Sequence, residues 1–150
     1  MLAAILAAAG FAGARCARSL DRGCARCWGW LRPQSRGPEQ HNMALQVAEL
    51  SLELIETLRP LLPRVKARDK SLPDQIVRSA SSIALNIGEA ELSDPGNRRA
   101  RFFSAAGSAG ETLTAVRVAI AWRYFAALEG DAAVALLRRI IAILWKLTRG

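Results

Sequence analysis

The sequence predicts an all-α protein: an antiparallel up-down four-helix bundle over residues 43–150, preceded by an N-terminal extension over residues 1–42. Three observations predict it. From Met43 onward, apolar side chains recur three and four residues apart, the repeat of one helical face. Proline, glycine and capping residues cut this stretch into four segments with short connections, which sets neighbouring helices antiparallel. No stretch alternates with the period of two that marks a half-buried strand.

The extension opens with MLAAILAAAGFAGA, an apolar run too short to span a bilayer as a helix. It resembles the core of a secretion signal, with Ala12-Gly13-Ala14 as a small-residue cleavage site, but the first basic residue, Arg15, follows the run. An exported or membrane-associated form would depend wholly on this run, and neither is expected. Residues 15–42 are rich in Arg, Gly, Pro and Cys, include Trp28 and Trp30, and show no period, so they are expected to be disordered. Cys24-x-x-Cys27, Cys16 and His41 offer four zinc ligands, but the second closely spaced pair of a zinc site is missing and no metal is expected. Translation from Met43, with the upstream stretch as read-through of GC-rich sequence, fits these features best. Native material is then expected to begin at Met43 or Ala44.

The first helix is predicted from about Met43 to Leu62, with Val47, Leu50, Leu54, Leu58 and Leu61 on one face and Glu49, Glu53 and Glu56 on the other. Pro60 and Pro63 end or kink it, and residues 64–70 read as a basic polar connection. The second opens at Ser71-Leu72-Pro73-Asp74, with Ser71 as cap. Its stripe is Ile76, Ala80, Ile83, Ala84 and Ile87, while Leu85 and Leu92 lie opposite, as scattered surface leucines or an oligomer contact. The third follows Ser93-Asp94-Pro95-Gly96 and reaches about Ala127. Its expected stripe is Phe102, Phe103, Ala106, Ala109, Gly110, Leu113, Ile120 and Tyr124. The small residues of 104–110 imply tight helix crossing, and Arg117, inside the stripe, needs a partner. The fourth runs from a cap near Gly130-Asp131 to Arg149, with Leu136, Leu137, Ile140, Ile143, Leu144 and Leu147 inward.

Apolar residues make up 51% of the 150 and charged residues 23%, a globular balance, with a net charge of +8. Six arginines against Asp21 and Glu39 give residues 1–42 a charge of +4, which leaves +4 for the bundle. Such a charge favours an anionic partner or merely solubility. All three cysteines precede Met43, so the bundle needs no disulfide, as a reducing cytosol permits, and a cytoplasmic protein is expected.

Catalytic chemistry is poorly supplied. The single histidine, His41, and every cysteine lie before the predicted bundle, which excludes Ser–His and Cys–His pairs within it. There is no Glu-x-x-His pair for a di-metal site and no phosphate-binding glycine loop. No enzyme activity, cofactor or small-molecule substrate is expected. Two basic clusters remain. Arg98, Arg99 and Arg101 sit at the start of the third helix, where arginines and free N–H groups together could hold phosphate. Arg138, Arg139, Lys146 and Arg149 share the outer face of the fourth, with Trp145 at its edge to stack on a base or pack against a subunit. Solvated faces, pairing of the first cluster with Glu89, Glu91 and Asp94, or pairing between copies with Glu49, Glu53 and Glu56, are the competing readings.

Residues 72–90, LPDQIVRSASSIALNIGEA, closely resemble the signature second helix of the four-helix-bundle proteins encoded in intervening sequences of bacterial 23S ribosomal RNA genes. Residues 101–104 and 107–112 resemble that family's third helix, and residues 137–147, with Trp145, its fourth. The resemblance covers nearly all of residues 43–150 and none of 1–42. Ala84 stands where the family usually has proline, Gly88-Glu89-Ala90 where it has Ala-Glu-Gly, and its aromatic-basic opening of the first helix is missing. The resemblance implies a homo-oligomer, a pentameric barrel of bundles. It also implies kinship with the accessory variability determinant proteins of diversity-generating retroelements, which are basic, bind nucleic acid and partner a reverse transcriptase. Asn86, Glu89 and Glu111 match recurrent polar positions, which with Arg117 are expected to be structural, since polar groups between packed helices must be paired. The sequence thus points to a non-enzymatic oligomer that binds nucleic-acid backbone, or to a scaffold whose charges serve assembly.

Overall fold

A computed structural model describes residues 37–149, so the signal-like run, Cys16, Cys24 and Cys27 lie outside the described residues. The described chain forms α1 (Pro38–Leu58), α2 (Leu62–Lys66), α3 (Leu72–Leu92), α4 (Pro95–Ala121) and α5 (Ala127–Arg149). The four long helices run alternately up and down, and each packs mainly on two neighbours, closing the ring α1–α3–α4–α5.

The helix ends depart from the sequence expectation, each for a local reason. α1 starts upstream of Met43, at Pro38, whose fixed φ and missing N–H suit a first helical position. It stops before Pro60, and the expected polar connection contains α2 instead, because Val65 between Arg64 and Lys66 is fully buried. α3 is capped by Asp69 rather than Ser71: the Asp69 carboxylate accepts from the Ser71 N–H at 2.8 Å and the Leu72 N–H at 3.1 Å. Asp94 caps α4, accepting from the N–H groups of Gly96 and Asn97. α4 ends at Ala121, short of Ala127. Arg123 takes the left-handed φ of 56°, and the Tyr124 and Arg123 N–H groups donate to the Ala119 and Ile120 carbonyls. This is a Schellman stop without its usual glycine. Glu129 accepts from the Ala126 N–H at 2.9 Å, the glutamate half of a capping box, so α5 starts before Gly130. Gly130 is not a cap but a buried contact point. A Cβ there would lie 2.8 Å from Ile120 Cδ1 and 3.0 Å from Phe125 Cε2.

The core is built of Val47, Leu54, Ile76, Ile83, Ile87, Val116, Leu137, Ile140 and Leu144 with smaller side chains between them. In α4 the buried stripe is Phe102, Ala105, Ala109, Thr112, Val116 and Ala119. Ala105 and Thr112 replace the expected Ala106 and Leu113, a shift of one residue or about 100° around the helix, because Phe102 and Phe103, 100° apart, cannot both point inward. Arg117 therefore lies exposed and needs no partner. Small residues bring α3 and α4 close enough for hydroxyls to meet. Thr112 donates to Ser79 at 2.8 Å, Ser82 and Ser108 share a bond of 2.9 Å, and Asn86 donates to the Ser82 carbonyl. No described helix is long and apolar enough to cross a membrane.

Candidate nucleic-acid interface

The two arginine clusters meet different fates. In the first, Arg98 folds back onto the end of α3, donating to the carbonyls of Ala90 at 3.2 Å and Ser93 at 3.0 Å. It ties off unsatisfied C-terminal carbonyls rather than facing solvent as a ligand. Arg101 pairs with Glu89 at 2.8 Å. The N–H groups at the start of α4 are held by the Asp94 carboxylate, so the anion position at that helix end is taken. Hydrogen bonds from Asn97 and Gly96 hold the Asp94 carboxyl below its ordinary range. Arg98, Arg99 and Arg101 therefore point to three different sets of partners rather than to one common position.

Arg99 alone points elsewhere, its guanidinium 5.7 Å over the ring of Phe103. Phe103 in turn meets Trp145 edge to face, with centroids 6.4 Å apart and planes at 84°. Arg149 lies 5.1 Å over Trp145. A strip Arg99–Phe103–Trp145–Arg149 thus crosses from α4 to α5. Phe103 and Trp145 are 45% and 48% exposed, unusual for aromatics that a core could use. Arg138, Arg139 and Lys146 are exposed on α5, and none makes an ion pair or hydrogen bond among the described residues. Arg138, Ala142, Trp145 and Arg149 fall on one row at spacings of four and three. The strip is uncompensated positive charge laid around two half-open rings.

A family model for the 23S rRNA-intervening sequence protein matches residues 43–146. The chain belongs to that family. A crystal structure from Bacteroides thetaiotaomicron, of a protein with unknown function from the S23 ribosomal protein family, matches with a TM-score of 0.64 and 23% identity. The match covers 69% of this chain and 99% of that one, a likeness of fold. No curated protein matches this chain.

In this intervening-sequence protein, the polar positions do local work. Asn86 bonds within α3, and Glu111 accepts from Gln75 across α3 and α4. Glu89 holds Arg101. His41 stands exposed with Nδ1 4.0 Å from Glu91, and no group of three His, Cys, Asp or Glu side chains gathers among the described residues. Sequence reasoning missed Phe103 as a surface residue. The signal was available: the 3-4-3-4-3 spacing from Phe102 to Ala119 leaves Phe103 outside the stripe.

Proposed function

We propose that this protein is a non-enzymatic nucleic-acid binder that holds RNA or DNA backbone through the α4–α5 face. The observation that carries it is the set Arg99, Arg138, Arg139, Lys146 and Arg149. These five cations have no anionic partner among the described residues, and two of them, Arg99 and Arg149, lie over half-exposed rings. From Arg138 to Arg149 the helix rises about 16 Å, about five steps of a stacked strand at 3.4 Å each. Contacts of this kind bind phosphates without reading bases.

Fluorescence anisotropy with a labelled RNA oligomer tests it across a salt series. Affinity falls with salt, and each lost phosphate contact flattens the logarithmic slope by about 0.7 for a single strand. Arg138→Gln with Arg139→Gln is expected to flatten it by about 1.4. An unchanged slope and affinity would remove the α5 face from the function.

A second reading, self-association, is favoured by a different surface. Leu45 and Leu52 of α1 and Val77, Leu85 and Leu92 of α3 are all exposed, Leu92 at 93%. They lie on the neighbouring helices α1 and α3. Apolar side chains left exposed on two adjoining helices are what a second copy would cover.

A further inference from the structure

We infer that the Phe103–Trp145 pair makes the α4–α5 face a site for unpaired nucleotides, with a base stacking on Trp145 and the neighbouring arginines taking the flanking phosphates. This rests on the backbone-binding reading and adds the kind of strand that is bound. Backbone contacts alone do not distinguish single strands from duplexes, since both present phosphates. The rings do, because only a base free of its own stack can lie on them.

Four features fit such a base. Both rings are about half exposed although one lies on each helix, so the face is open rather than closed by packing. The surface beside them is level: Gly107, one turn beyond Phe103, has nothing within 4 Å of where a Cβ would be, and Ala142 stands exposed one turn before Trp145. Arg149 rests over Trp145 as an exposed cation–π contact, which is weaker than base stacking. A base arriving on the indole displaces that guanidinium, which is then free for the adjacent phosphate. Arg138 lies two helical turns from Trp145 on the same row, about 10 Å, which matches the phosphate about three nucleotides along.

The full chain is titrated at equal salt with a labelled uridine homopolymer and with an RNA duplex of the same length. The strand is expected to bind at least about tenfold more tightly, the gain of a single stacked base. Trp145→Ala is expected to bring that ratio close to one, while Trp145→Phe, which keeps a ring, holds it well above one. Circular dichroism melting of each variant checks the fold, and the wild-type comparison stands without any variant. Equal affinity for strand and duplex overturns the stacking site and leaves backbone binding intact. A preference that survives Trp145→Ala overturns the role of Trp145. Failure to bind either nucleic acid overturns the backbone reading as well.

Discussion

Two helical glycines make opposite demands on the same physics. Gly107 faces open space, so a methyl group there meets nothing and simply removes the excess backbone freedom of glycine. Gly107→Ala is expected to stabilise the chain by about 0.5–1 kcal/mol. Gly130 faces Ile120 and Phe125 at 2.8 and 3.0 Å. A methyl group there gains the same helix propensity but overpacks, at about 1–3 kcal/mol, so Gly130→Ala is expected to destabilise by about 1 kcal/mol net. Urea unfolding of the two variants checks both signs; equal shifts would show that the α4–α5 corner relaxes freely. Neither role was legible in the sequence, where Gly130 reads as a cap. The same holds for Arg98, Arg99 and Arg101, which sit together in the chain and part in space. Adjacent letters on a helix point about 100° apart, and only the packing decides which of them meets solvent.

Among the elements, α3, α4 and α5 all begin on a carboxylate: Asp69, Asp94 and Glu129. Backbone N–H groups at Leu72, Asn97 and Ala126 are the largest cause that holds each of these acids below its ordinary range. A carboxyl whose folded pKa is depressed stabilises the fold above its unfolded pKa and loses that contribution as pH falls through the folded value. The melting temperature is therefore expected to hold from pH 7 down to about 5 and to drop below about pH 4. The triple variant Asp69→Asn, Asp94→Asn, Glu129→Gln should show a shallower drop; an identical acid limb would assign the loss to other groups. The existence of the four long helices was legible, because their apolar repeats are long and regular. Their boundaries were less so. The stop at Arg123 uses a left-handed arginine where glycine is the usual signal, and α1 runs back to Pro38 through polar residues that carry no period.

In the molecule as a whole, the aromatic–arginine strip and the exposed aliphatic side chains of α1 and α3 belong to different pairs of helices. The arginine strip occupies α4 and α5, while Leu45, Leu52, Val77, Leu85 and Leu92 occupy α1 and α3. A copy that associates through the leucines leaves the strip in water, so assembly and nucleic-acid binding should be separable. Leu85→Lys with Leu92→Lys is expected to reduce the mass measured by light scattering towards that of one chain while the far-ultraviolet dichroism stays helical. A mass unchanged by these substitutions would place the contact elsewhere. The sequence displayed Leu85 and Leu92 as outward, since the α3 stripe was read in the right phase. It did not display the strip, because its four residues come from two helices and meet only through the α4–α5 packing.

The described chain starts and finishes at one end of the bundle. His41 lies near Glu91 at the close of α3, which joins directly to the start of α4, and α5 comes back to that end at Arg149. A tether placed at Pro38 or Arg149 therefore lies at the end of the bundle that carries Phe103 and Trp145. The turn at residues 67–70 sits at the opposite pole, about 30 Å away along the helices. Protein fixed to a sensor surface through that turn presents the strip outward; fixed at Pro38 or Arg149, it faces the strip into the support.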